Sequence, residues 1–207
     1  MIRTILFAAA AIMAFPGLAQ TAATPASVAP KEDLVRVVLE TDRGRIVLEL
    51  DKGRAPITTA NFLAYVEGKN FDGQTFYRAM KIGDGGLIQG GVRSDARKLF
   101  PPIAHEPTSQ TGLKNVAGAI VMANGGAGTA RSDFFILLSD QPAFDADHPQ
   151  GDATGFAVFG RVVQGMDVVK KILEAPVSET KGEGVMKGQM LEPEVRIAKA
   201  ERLPETP

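Results

Sequence analysis

Short stretches in which apolar and polar residues alternate dominate this chain. From Arg45 to Leu50, Ile46, Leu48 and Leu50 fall on one face and Arg45, Val47 and Glu49 on the other, the period of a half-buried strand. Leu34 to Glu40 has the same character, and Thr41-Asp42-Arg43-Gly44 between them is a turn, so the two segments predict a hairpin. At Pro56 the period changes. Ile57, Ala60, Phe62, Leu63, Tyr65 and Val66 form a broad stripe near 3.6, Pro56 fits a first helical position, and Gly68 stops the helix. Phe76 to Gly91 predicts a strand presenting Arg78, a glycine-rich turn, and a strand presenting Gln89, the two side chains facing each other.

Further strands are predicted at Val116–Ala123, Asp133–Ser139, Gly155–Val163 and Glu194–Leu203, with a short amphipathic helix at Met166–Ala175 ending before Pro176. The segments 93–110, 124–132, 141–154 and 178–189 read as loops. Strands outnumber helices and lie in local pairs, with too few helices to cross over between parallel strands. The pattern therefore predicts a mainly β fold, an antiparallel barrel or sandwich with two helices closing its ends.

The beginning of the chain has a different pattern. After Arg3, Ile5 to Phe15 is a continuous apolar run, well below the ~20 residues that span a bilayer. Gly17 and Ala19 then supply small residues at the −3 and −1 positions of a cleavage site. Residues 1–19 read as a secretory signal peptide, 20–32 as a flexible lead-in rich in Ala, Thr and Pro, and 33–203 as one domain. The expected location is secreted, in the periplasm, with no membrane attachment after cleavage.

Composition narrows the chemistry. The 24 acids and 23 bases give a formal charge of −1, and no basic run is present, so nucleic acid is not an expected partner. The absence of cysteine removes disulfides and thiol nucleophiles, and two histidines make a histidine-rich metal site an unattractive reading. Asn124 to Gly128 is glycine-rich but lacks the Lys-Ser/Thr ending of a phosphate cradle, and a strand follows where a helix is needed. Asp145, Asp147 and Asp152 with His148 read as a solvated loop, because Pro149 interrupts a calcium pattern. No cofactor or metal is expected, and the domain is expected to act as a monomer.

Three segments taken together carry a resemblance: Phe76-Tyr77-Arg78 with Leu87-Ile88-Gln89-Gly90-Gly91; Val121-Met122-Ala123-Asn124 with Phe134-Phe135-Ile136; and Gly155-Phe156-Ala157-Val158-Phe159-Gly160. Their order and spacing resemble the cyclophilin family of peptidyl-prolyl cis-trans isomerases over nearly the whole chain from Leu34 to Leu203. The resemblance implies an eight-stranded antiparallel barrel capped by two helices, with a substrate groove on its outside. It implies Arg78 as the catalytic donor supported by Gln89. Leu87, Phe135 and Phe144 would form the proline pocket, Phe156 its rim, and Met122, Ala123 and Asn124 would hold the neighbouring substrate backbone, with Asp133 beside them. The implied partners are proline-containing polypeptides. The implied activity is isomerisation of X–Pro bonds; a peptide-holding chaperone of the same fold with little turnover is the alternative.

The chemistry suits these residues. An X–Pro bond resists rotation by ~18–20 kcal/mol because the nitrogen lone pair conjugates with the carbonyl. In the twisted state that nitrogen becomes pyramidal and accepts a hydrogen bond, so a guanidinium aimed at it favours the transition state. Compared with better-known relatives, the link between Arg78 and Gln89 is longer, and Gly86 stands where a phenylalanine would wall the pocket. Asp133 replaces a glutamine and is expected either to compete for Arg78 or to orient it. Phe156 replaces a histidine.

Overall fold

A computed structural model describes residues 33–93 and 95–204; the proposed signal peptide at 1–19 and lead-in at 20–32 lie outside the described residues. The strands are β1 (Leu34–Thr41), β2 (Gly44–Asp51), β3 (Thr75–Ile82), β4 (Gly85–Gly91), β5 (Ala119–Met122), β6 (Phe134–Leu137), β7 (Ala157–Gln164), β8 (Val177–Ser178) and β9 (Met190–Arg202). The helices are α1 (Pro56–Glu67), the single turn α2 (Thr108–Thr111) and α3 (Met166–Leu173). Eight strands close into a ring in the order β1-β2-β7-β5-β6-β4-β3-β9 and back to β1, every pairing antiparallel, with β8 added beside β9.

Closure depends on β9. Its early residues pair with β3 and its later ones with β1, and Val195, Ile197 and Ala200 point inward between exposed neighbours. A barrel closed in this way leaves no long unpaired edge. The interior is filled by alternate residues of the ring, including Leu39, Ile46, Leu48, Ile88, Ile120, Phe134 and Phe159. Helix α1 inserts Phe62, whose ring lies 5.0 Å from Phe71 and 5.3 Å from both Phe134 and Phe159. Truncating a fully buried phenylalanine of this kind costs about 3–5 kcal/mol.

The two longer helices sit at opposite ends of β2. At one end, Ala55 and Thr59 bond the Asp51 carbonyl as α1 begins; at the other, Val168 of α3 packs on Gly44, where a Cβ would lie 2.8 Å from its Cγ2. Ala55 offers α1 no side-chain cap. The buried Glu106 supplies one, accepting from Ile57 N (3.1 Å), Thr58 N (2.7 Å) and Thr58 Oγ1 (2.7 Å), so the proline-rich 93–110 excursion anchors the helix.

Three expectations change. The strand predicted at Val116 begins at Ala119, because Ala119 N bonds the Val116 carbonyl in a turn and Gly118 takes a φ of 84°. The stretch predicted as an open loop at 178–189 contains the end of β8 and a turn of 3-10 helix at Gly184–Met186. The longer link between Arg78 and Gln89 is a paired hairpin: Lys81 faces Gly86 and Ile82 faces Gly85, leaving only Gly83 and Asp84 in the turn. Gly83 has a φ of 56° at the first turn position, which a type II′ hairpin reserves for glycine.

Candidate active site

A register shift between Phe76 and Arg78 in β3 is the first determinant of the site. Phe76 is buried in the barrel, and the irregularity at Tyr77 lets Arg78 pair with Gln89. The ladder then runs on across the sheet: Gln89 faces Phe135 of β6, Phe135 faces Val121 of β5, and Val121 faces Val158 of β7. One row on the barrel's outside thus begins with a cation and ends in apolar side chains.

Arg78 is held on two sides. Its Nη1 donates to Gln89 Oε1 at 2.9 Å and its Nε to Gln189 Oε1 at 2.8 Å, while Nη2 lies 3.1 Å from Met80 Sδ. A guanidinium carries five N–H donors, so one on each terminal nitrogen remains for a ligand. Partial burial lowers its pKa from the ordinary value, with Tyr77 acting the other way. A poorly hydrated cation held by neutral oxygens keeps its charge available to an incoming acceptor.

Beside it lies a second apolar cluster, separate from the barrel interior. Leu87, Val121, Phe135, Leu137 and Val158 are buried in it, with Met80, Ala123, Phe144 and Phe156 packed against them. Phe135, Phe144 and Phe156 meet edge to face, with centroids 5.2–6.0 Å apart. Phe156 N donates to the Phe144 carbonyl at 2.9 Å, fixing the two outer rings together. Phe134 goes to the interior cluster and Phe135 to the outer one, as neighbours on a strand must.

Gly86 was expected to leave one pocket wall missing or supplied by another residue, and Met80 is the apolar side chain that packs beside it. Met80 faces Leu87 across the hairpin and packs on the outer cluster. Gly86 itself has a φ of 139°, and a Cβ there would overlap the Met80 carbonyl oxygen. No larger residue fits that position without a backbone shift.

On the far side of Gln89, a cavity of about 360 Å³ is lined by Ala123, Asn124, Tyr77 and Asp133 among others. Ala123 N bonds the Asp133 carbonyl at 2.9 Å, and Asn124 Oδ1 accepts from Gly126 N at 3.0 Å. Asn124 Nδ2 and Asp133 Oδ1 are buried with no hydrogen-bond partner among the described residues. Neither expectation for Asp133 is met, because no ion pair joins it to Arg78 among the described residues. Its carboxyl instead packs on Gly91, where no Cβ would fit, and adjoins Tyr77 and Arg93. Arg93 stacks on the Tyr77 ring, 4.3 Å from its centroid. Burial pushes the Asp133 carboxyl up to about 6 despite the opposing pull of Arg93 and the Tyr77 hydroxyl. Burial also pushes the Tyr77 hydroxyl well up, reinforced by the Asp133 charge.

Of the residues expected in the site, Arg78, Gln89, Leu87, Ala123, Asn124, Asp133, Phe135, Phe144 and Phe156 line one continuous surface. Met122 does not: its side chain is buried in the barrel interior. Two participants escaped the sequence reading. Met80 was detectable, since it shares a strand face with Arg78 two residues earlier. Gln189 sits in an aperiodic glycine-rich stretch and gave no signal.

The closed antiparallel barrel is an architecture that known proteins share. The profile described as cyclophilin type peptidyl-prolyl cis-trans isomerase/CLD matches residues 36–202. Peptidyl-prolyl cis-trans isomerase A of Dickeya dadantii is 38% identical over 75% of this chain and 78% of its own length. A peptidyl-prolyl cis-trans isomerase of Acinetobacter baylyi is 35% identical over 69% of this chain and 73% of its own. A crystal structure of a cyclophilin type isomerase from Cryptosporidium parvum superposes with a TM-score of 0.67 at 21% identity, covering 84% of this chain and all of that one. The chain belongs to the cyclophilin-type peptidyl-prolyl cis-trans isomerase family.

Proposed function

We propose that the protein accelerates cis/trans isomerisation of X–Pro bonds in extended segments of unfolded or loop-exposed polypeptides. The observation that carries this reading is the Arg78 guanidinium, held by Gln89 and Gln189 at the edge of the Phe135–Phe144–Phe156 cluster. The proline ring would rest on the three phenylalanines and Leu87, with Met80 as side wall. Ala123 and Asn124 would hold the adjoining backbone. As the amide twists, the proline nitrogen becomes an acceptor and takes a free Arg78 N–H. Lowering the barrier by ~7 kcal/mol in this way corresponds to ~10⁵-fold acceleration.

The relatives named as peptidyl-prolyl isomerases support this reading, and so does the neutral company of Arg78. Were Arg78 paired with a carboxylate, a peptide-holding module would be the better description. The amino-terminal segment supports export to the periplasm, where the protein would act as a monomer; fractionation and a sedimentation measurement check these two points. Among the described residues no helix is long and apolar enough to cross a membrane.

The test is cis/trans exchange of a short X–Pro peptide measured by NMR with the intact protein and with Arg78→Ala. Catalysis reduced by about tenfold or more in the variant, at least about 1.4 kcal/mol, is expected. Peptide binding without enhanced exchange would overturn the proposal.

A further inference from the structure

The groove does not end at Asp133. A larger open hollow of about 1110 Å³ lies between Arg93, the segment contributing Lys181, Gly182, Glu183 and Met186, and the start of β9. Met186 borders this hollow and also the cavity at Asp133, and Arg93, which borders it too, stacks on Tyr77 of that cavity. The two spaces are therefore contiguous along one side of the sheet.

The turn at the edge of the hollow has an unusual surface. Val185 is 83% exposed and Met186 37%, two neighbouring apolar side chains that reach solvent on one turn. Glu183, Glu192 and Glu194 line the hollow together with Arg93 and Lys181; Lys181 pairs with Glu192 and Arg93 stacks on Tyr77, so Glu183 and Glu194 leave part of the rim negative. The turn is wired to the catalytic group: Gln189 Nε2 donates to the Val185 carbonyl at 2.8 Å while Gln189 Oε1 accepts from Arg78 Nε at 2.8 Å.

We propose that the hollow and the Val185–Met186 turn form a second contact for the same client polypeptide. It would take an apolar side chain flanked by a basic residue, beyond the peptide unit next to the proline. This inference rests on the isomerase reading of the groove. Continuity with the proline site identifies the occupant as the client chain itself, and the acidic rim with the exposed Val185 and Met186 sets the chemistry it prefers. Contact there also reaches Arg78 through one side chain, so a long client presses on the turn that helps hold the catalytic cation.

The experiment uses the protein with three peptides followed by amide NMR: a short X–Pro peptide, and the same peptide extended at one end or the other by a segment containing leucine and lysine. One extended peptide is expected to bind about tenfold tighter than the short one. It should shift amides 183–187, which the short peptide leaves in place. The exposed double variant Val185→Ser/Met186→Ser should remove that gain. Equal affinity for all three peptides with no shifts at 183–187 would overturn the inference. Binding and exchange are read separately: length-dependent binding without accelerated exchange would overturn the isomerase reading and leave the second contact standing.

Discussion

Arg78 and Gln189 lie 111 residues apart in the chain, yet Nε of the first donates to Oε1 of the second at 2.8 Å. Gln89 alone fixes one end of the guanidinium; Gln189 fixes the other and stops the fork from rotating about its Nη1 bond. Replacing it with leucine leaves a partly buried N–H without its acceptor, a loss of about 1–3 kcal/mol. Gln189→Leu is expected to reduce kcat about tenfold with little change in KM, because the twisted amide is affected more than the ground state. Gln189→Glu keeps an acceptor at Nε but pairs the cation with a carboxylate, so it should restore the Arg78 geometry without restoring kcat. The Arg78 Nε–H resonance should move in the leucine variant and return in the glutamate one, which separates positioning from general destabilisation.

Met80 makes a different kind of contribution, as an apolar wall. Met80→Ala removes side-chain surface from the proline pocket and should weaken binding of ground and transition states alike, by about 1 kcal/mol or more. The expected signature is a raised KM and about fivefold lower kcat/KM with kcat nearly unchanged. Steady-state kinetics on a proline peptide decides it; a fall confined to kcat would place Met80 in transition-state stabilisation through its Sδ contact with Arg78.

Gly86 is required by the backbone. A Cβ there would strike the Met80 carbonyl, and the φ of 139° is strained for any other residue. Gly86→Ala should destabilise the fold by roughly 1–3 kcal/mol, measured by urea denaturation. It should also lower activity, since relief of the clash displaces the strand that carries Met80 and Arg78. Wild-type stability in this variant would show that the hairpin yields without cost.

Asp133 predicts a pH dependence. Its carboxyl ionises near 3.8 in the unfolded chain and near 6 in the fold. Between these values the folded state binds more protons, so stability falls as pH rises from about 4 to about 6 and is level above. Asp133→Asn should abolish that slope and, after allowance for solvent screening, be more stable than wild type at pH 7.5 by about 1–2 kcal/mol. Its kcat should stay within about twofold, because none of the Arg78 hydrogen bonds involves Asp133. Denaturation curves at pH 4.5 and 7.5 measure the first effect and NMR exchange the second.

The legible parts of this protein were those governed by local periodicity. Ile46, Leu48 and Leu50 alternate inward as their spacing required, and the adjacent rings of Phe134 and Phe135 could only face opposite ways. Most of the groove followed from strands of known face. What stayed hidden were contacts between distant segments with no repeating pattern of their own. Glu106 capping α1 is one, since no sequence rule places a loop acid at the start of a helix 48 residues earlier. The orientation of Asp133 is another. It depends on the bare backbone of Gly91 leaving room for its Oδ1, a steric detail that charge arguments about Arg78 do not contain.

The division of β6 between two ring clusters bears on how the groove accommodates ligand. Phe135 shares a four-residue strand with Phe134, which is locked against Phe62, Phe71 and Phe76 inside the barrel. The floor of the outer aromatic cluster therefore cannot move as a unit without unpairing a central strand. Adjustment to different clients falls to the rim, where Phe144 and Phe156 are only partly buried and are carried outside the ring's tightest packing. Binding spends little conformational entropy on the floor, which is preorganised. On the proposed reading, selectivity among proline segments rests on the two rim rings and not on the barrel beneath them.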